Sequence, residues 1–227
     1  IFAGPELETQ LHRAPVWLRL QTEDPARVFE EFDERGWSWR RSDLLPDAVE
    51  WRTDADVTQT AAWRDGHIEI QDLGSQLILH TIGLEPDGRW LDACAGAGGK
   101  SLQLARLLGR TGSVEAHDIR PAALEELRTR ALRAGIPNIR TLTQPPAAAG
   151  YDGVLVDAPC SGSGTWRRSP HLKWTTTPAL VADRASLQRK LLAQFATSVR
   201  PGGRLVYATC SLSRRENADV VAAFLAE

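Results

Sequence analysis

The chain contains no methionine, and it has only two tyrosines, three lysines and three cysteines in 227 residues. With not even an initiator methionine, it reads as a fragment or trimmed piece of a longer protein. The cysteines, Cys94, Cys160 and Cys210, are odd in number and far apart, with no C-x-x-C spacing. That pattern disfavours both a zinc site and a disulfide framework. The five histidines show no metal-ligand spacing either, so each is expected to be structural and no metal is expected. Long apolar runs are missing: stretches such as Val154-Leu155-Val156 are far too short to cross a membrane. Ile1 to Gln10 already carries two glutamates and lacks the apolar centre of a signal peptide. A cytoplasmic location with no membrane partner is the default expectation. An excess of one charge is missing too, since 27 basic residues face 29 acidic ones for a net charge of −2. Any nucleic-acid site must therefore be a local patch rather than a field over the whole surface.

What is present is an alternation of strands and helices. The length suffices for one α/β domain with a small appendage. From residue 88 onward the strands expected are 90–94, 113–118, 139–142, 151–157 and 204–209. Leu102, Leu104, Leu107 and Leu108 give the first intervening helix its buried face. Pro121 opens the second, in which Leu124, Leu127 and Leu132 recur, and a third runs from about Val181 to Val199. A long loop, Ala158 to about Pro178, interrupts the alternation, Pro201-Gly202-Gly203 is expected to turn, and a last helix starts at Glu216. This order implies a Rossmann-like parallel sheet covered on both faces, with ligands beyond the carboxyl ends of its strands. Residues 1–68 read instead as a small N-terminal α+β domain, joined near Asp65-Gly66 to a second domain over 69–227. Val16 to Leu20, Trp37 to Arg40 and Val49 to Arg52 are its expected strands, and Asp24 to Glu34 its helix.

The segment Asp92-Ala93-Cys94-Ala95-Gly96-Ala97-Gly98-Gly99-Lys100 leads from a strand into a helix, and its glycines let the backbone approach a ligand. A phosphate-binding P-loop fails, because the position that needs the leading glycine is Cys94. A dinucleotide fingerprint fails, because its third glycine falls on Ser101. The sulfonium cofactor S-adenosylmethionine, whose amino-acid end needs close backbone but no pyrophosphate site, fits. Asp118, 20 residues after Gly98 at the end of the second strand, suits ribose hydroxyls, with a helix-capping aspartate as the other reading.

Asp157-Ala158-Pro159-Cys160 ends the fourth strand and Thr209-Cys210-Ser211 ends the fifth. One such cysteine would be a small buried hydrophobe. Two at adjacent strand ends, one beside an aspartate, are expected to open onto the crevice of the glycine loop. Taken with Gln71-Asp72, Ser75-Gln76, Lys173-Trp174 and Ser161-Gly162, these motifs resemble the Sun/Fmu family of RNA 5-methylcytosine methyltransferases over nearly the whole chain. The resemblance implies a cytosine-5 methyltransferase, most favourably on ribosomal RNA and otherwise on transfer RNA. It implies Cys210 as the nucleophile and Cys160 as the residue that releases product. It also implies that Cys94, Ala95, Gly96, Ala97, Gly98, Gly99 and Lys100, with Asp118 and Asp157, hold S-adenosylmethionine. The sequence departs from the family pattern in two places within the site. Ala97 stands where the family usually has proline. Gln144 falls near the position of the acid that contacts adenine, and an amide there still hydrogen-bonds the base edge. The terminal strand pair that usually closes such a sheet is missing.

The chemistry has its own logic. Carbon 5 of cytosine is a poor nucleophile, and a thiolate added at carbon 6 turns the ring into an enamine that attacks a sulfonium methyl. A free thiol, with a pKa of about 8.5, is only slightly ionised at neutral pH, so the site has to raise its thiolate fraction. Asp157 is the candidate to protonate or hydrogen-bond ring nitrogen 3, which calls for a raised pKa. Lys100 either adds positive charge near the base or is an ordinary residue of a helix N-terminus. A methylated base must leave its stack. The loop Trp166-Arg167-Arg168 to His171-Leu172-Lys173-Trp174 offers cations and aromatic faces for it. Arg167, Arg168 and Lys173 are the expected RNA contacts, extended by Arg19, Arg40 and Arg41. A monomer is the expected state. The rivals are a catalytically silent RNA-binding relative and a methyltransferase for small molecules or proteins, neither of which needs two placed thiols.

Overall fold

The computed structural model describes residues 8, 12–146 and 149–226. Apart from Glu8, the stretch read for a signal peptide lies outside them. The chain divides into two compact units, one of Pro15–Arg89 with Ala95–Pro145, the other of Ile1–Ala14, Trp90–Cys94 and Pro146–Glu227.

The first unit begins with an antiparallel sheet of order β2-β3-β1-β4. Its strands are β1 (Val16–Leu20), β2 (Trp39–Arg41), β3 (Ala48–Trp51) and β4 (Ile68–Ile70), with helix α1 (Pro25–Glu34) and the short α2 (Ala61–Arg64) between them. Five of the eight tryptophans fall here, and aromatic rings pack with Leu18, Leu20, Val49 and Ile68 in the core of this small sheet. Phe29 stacks on Trp39 at 4.2 Å between ring centres, and Phe32 meets Trp51 edge-on at 4.9 Å. Strand β4, beside which the join between domains is expected, pairs with β1.

The same unit holds α3 (Leu73–Thr81), α4 (Gly99–Leu107), β6 (Ser113–His117), α5 (Pro121–Arg133) and β7 (Ile139–Leu142). On α4, Leu102, Leu104 and the following Leu108 are buried, as expected, while Leu107 is half-buried. On α5, Leu124 and Leu127 are buried but Leu132 is 85% exposed. The buried stripe continues through Ala131, one position short of Leu132, and a single residue turns a side chain by about 100° around a helix.

The second unit holds β5 (Arg89–Asp92, from Trp90 on), β8 (Tyr151–Asp157), α6 (Leu172–Thr175), α7 (Pro178–Ala196), β9 (Val199–Ala208) and α8 (Ala218–Ala226). Tyr151, Val154, Leu155 and Val156 are fully buried, as suits a strand covered on both faces. Gly153 is required where β5 and β8 pair, because a Cβ there would overlap the Trp90 ring. Strand β9 starts earlier than expected: Pro201-Gly202-Gly203 lies within it, and the register against β8 shifts between Tyr151 and Gly153. The loop after β8 is not structureless, since it contains a 3₁₀ turn (Ser163–Thr165) and α6.

The parallel sheet has the order β7-β6-β5-β8-β9. The fold is thus the expected Rossmann-like α/β architecture, with an antiparallel N-terminal sheet. Among the described residues, no helix is long and apolar enough to cross a membrane.

Candidate active site

The parallel register of β8 and β9 decides where the thiols go. Asp157 lies opposite Ala208, and the N–H of Ala158 donates to the Ala208 carbonyl at 2.9 Å. Cys160 follows Asp157 by three residues and Cys210 follows Ala208 by two, so both leave the sheet at the same end. Their sulfur atoms are 3.1 Å apart, within hydrogen-bond reach for a thiol and a thiolate. Cys210 is exposed and Cys160 half-buried. The hydrogen bond with Cys210 raises the Cys160 pKa well above that of an ordinary thiol, and burial adds to the shift. Cys160 is thus the sulfur that holds its proton more tightly than an ordinary thiol, and Cys210 is the more exposed of the two. The structure brings the two cysteines together at one end of the β8–β9 pair. Asp157, half-buried, closes β8 two residues before Pro159.

Around the thiols lies a polar cluster that sequence reasoning missed. Glu216, fully buried in a 3₁₀ turn (Arg214–Glu216), accepts from the Ser161 N–H at 2.7 Å, the Ser211 hydroxyl at 2.6 Å and the Gln188 amide at 3.2 Å. The Ser161 hydroxyl donates to it as well. The Tyr207 hydroxyl donates to the Glu216 carbonyl at 2.6 Å, and burial followed by the charge of Glu216 raises the phenol's pKa. Asn217 donates to the carbonyls of Ser211 and Ser213 at 2.8 and 2.9 Å. The sequence gives one faint signal for this cluster, a glutamate–asparagine pair six residues beyond Cys210.

In the other unit, the glycine loop is built for close approach. Gly96 and Gly98 take positive φ of 54° and 88°, and Gly98 forms the N-cap of α4. A Cβ on Gly98 would meet the Leu127 side chain at 2.5 Å, whereas one on Gly99 would meet nothing. The loop thus exposes backbone at Gly99 while Gly98 packs onto α5. Asp118 accepts from the Gly96 N–H at 2.9 Å and from the Arg120 N–H and Nε, each at 2.9 Å. Burial would push this carboxyl up; the bonds from Arg120 and Gly96 outweigh it and hold the pKa below the usual value. Asp118 therefore stays ionised beside the loop, as a ribose contact requires, and also makes the capping-type bond to the Arg120 backbone. Lys100 sits half-buried in the first turn of α4, and Ala95 is buried in the core with Leu102 and Leu127. Ala97 gives its carbonyl to Arg130 at 2.7 Å. Gln144 lies exposed in a bend just after β7. Cys94 packs half-buried against the second unit's core beside Leu91 and Val154.

Arg19 corrects an expectation. It is 2% exposed and bonds to Gln71 Oε1 (2.7 Å), Gln21 Oε1 (2.9 Å) and the Gly99 carbonyl (3.0 Å), so it presents no guanidinium to an RNA backbone. Burial lowers its pKa to about 9, opposed by Glu69, and it stays charged at neutral pH. Glu69, itself buried, pairs with Arg130 at 2.8 Å and also with Arg133. A buried charge needs such partners. Arg19 and Arg130 thereby hold two carbonyls of the glycine loop from beneath. Of the other expected RNA contacts, Arg168 is exposed and Lys173 half-buried. Arg167 donates to the backbone carbonyls of His12 and Arg13 at 3.2 and 2.8 Å. Trp174 is 87% exposed, so it is no core residue.

Residues 79–227 match the family profile of 16S rRNA methyltransferase RsmB/F. The chain belongs to that family. It is 35% identical over its full length to the probable ribosomal RNA small subunit methyltransferase B of Bacillus subtilis, covering 53% of that protein. It is 36% identical to the ribosomal RNA small subunit methyltransferase B of Xanthomonas campestris, with 93% of this chain and 51% of that protein covered. The chain thus spans about half the length of these curated relatives. The solved structure of the protein PH0851 superposes with a TM-score of 0.91 at 29% identity, covering 96% of this chain and 52% of that one. Family membership agrees with the resemblance carried by the sequence motifs, and S-adenosylmethionine is the cofactor of the family.

Proposed function

We propose that this chain is the catalytic part of a methyltransferase that modifies carbon 5 of a cytosine in small-subunit ribosomal RNA through a covalent Cys210 adduct. The observation that carries this reading is the 3.1 Å approach of Cys160 and Cys210, with Cys210 the exposed sulfur of the two. A core cysteine would have no reason to be exposed, and a silent relative would have no need of the pair. S-adenosylmethionine supplies an electrophilic methyl group on a sulfonium. The open backbone at Gly99 and the ionised Asp118, itself held by the Gly96 N–H, suit its amino-acid and ribose ends. Lys100 and Gln144 complete the proposed cofactor contacts, Gln144 toward the adenine.

The Cys210 thiolate adds to carbon 6, and the ring electrons pass to carbon 5, which takes the methyl group. Asp157 hydrogen-bonds ring nitrogen 3 and stabilises the adduct. A base then takes the carbon 5 proton, the ring double bond re-forms and Cys210 leaves carbon 6 as the thiolate. Cys160, 3.1 Å from the departing sulfur, is placed to assist that release by donating a hydrogen bond to it.

RNA would reach the thiols along the loop of Arg167, Arg168, Lys173 and Trp174. Replacing Trp174 with alanine is expected to weaken RNA binding by about 1–3 kcal/mol, the contribution of one base stacked on an aromatic ring. Fluorescence anisotropy with an unmethylated 16S fragment measures this, and an unchanged affinity would remove Trp174 from the interface. The substrate itself is tested by bisulfite sequencing of RNA from a strain lacking the gene. Loss of one methylated cytosine in 16S rRNA is the expected outcome; loss confined to a transfer RNA would overturn the choice of substrate.

A further inference from the structure

We infer that Glu216 is a positioning residue that clamps the two cysteine-bearing turns in register, so that the thiol pair exists only while this carboxylate holds both. The inference rests on the proposed role of the pair. Glu216 has no exposed surface, and burying a carboxylate is costly unless its lone pairs are filled. Here they are filled by groups adjoining each cysteine. Ser161, next to Cys160, donates through its N–H and its hydroxyl; Ser211, next to Cys210, donates through its hydroxyl. A third tie comes from Gln188 on α7, whose amide reaches both Glu216 at 3.2 Å and the Pro159 carbonyl, just before Cys160, at 3.0 Å.

The two turns are also laced to each other. The Gly164 N–H donates to the Cys210 carbonyl at 2.8 Å, and the Leu212 N–H donates to the Ser163 hydroxyl at 2.8 Å. A Cβ at Gly164 would meet the Cys210 carbonyl at 2.5 Å, so the turns approach as closely as a backbone without a side chain permits. Glu216 touches neither sulfur by any of these bonds. Its effect is exerted through Ser161 and Ser211, and loosening a reacting group by about 1 Å is enough to cost orders of magnitude in rate.

The test reads the distance between the thiols and does not require turnover. Dibromobimane is added to the parent and to Glu216→Ala and Glu216→Gln, and mass spectrometry follows the bridge between the peptides containing Cys160 and Cys210. Glu216→Ala is expected to bridge about tenfold more slowly, with kcat reduced and the cofactor KM unchanged. Glu216→Gln keeps an acceptor for the Ser161 N–H, and serine hydroxyls can turn to accept from its amide, so it is expected to restore most of the bridging. A folded Glu216→Ala that bridges at the parental rate overturns the clamp. If circular dichroism shows that Glu216→Ala does not fold, Ser211→Ala replaces it; slower bridging supports the clamp and parental bridging overturns it. A parent without methyl transfer whose bridging still depends on Glu216 would refute the proposed function and leave the clamp standing.

Discussion

Replacing Cys210 with alanine is expected to reduce methyl transfer to RNA by at least about a thousandfold in single-turnover assays with labelled S-adenosylmethionine. Without the thiolate no enamine forms, and neutral carbon 5 is too weak a nucleophile to take the methyl group. Stability should hardly change, because Cys210 is exposed and an exposed side chain removed from no core costs little, within about 0.5 kcal/mol. Cofactor affinity should also be unchanged, which separates loss of chemistry from loss of binding. Residual activity within about tenfold of the parent would contradict the nucleophile assignment.

The second large effect concerns the partner thiol. Cys160→Ala is expected to let the addition and the methyl transfer proceed and to stall the release. Protein should then accumulate joined to RNA, visible as a slow band that survives denaturation. Cys160 lies 3.1 Å from the sulfur that must leave carbon 6, which places it to assist the release. Removing Cys160 therefore takes away the group whose turn comes last. Absence of the band together with normal turnover would exclude Cys160 from the mechanism.

Much of this site was legible in the sequence because its parts sit at strand ends. The apolar, β-branched run Tyr151 to Asp157 marks a buried strand wherever it occurs, and the motif after it inherits a fixed place. The glycine loop was legible because positive φ at Gly96 and Gly98 demands that residue type. What was not legible depends on distant partners. Arg19 alternates in β1 as an outward charge would, yet Gln21, Gln71 and the Gly99 carbonyl enclose it. Glu216 follows two arginines and looks solvated; its burial is set by serines 55 and 5 residues away. The start of β9 was missed because Pro201-Gly202-Gly203 has turn chemistry, which an irregular register against β8 accommodates.

The central claim is tested most directly by trapping. RNA carrying 5-fluorocytosine at the target accepts the thiolate and the methyl group, but fluorine does not leave as a cation, so elimination is blocked. Tryptic mapping of the trapped complex separates the two thiols, since Cys210 lies in the peptide from Leu205 to Arg214 and Cys160 in the peptide from Thr141 to Arg167. The account predicts a methylated fluorocytosine joined to Cys210. A nucleotide on Cys160, or no covalent complex under conditions where unmodified RNA is methylated, would contradict it.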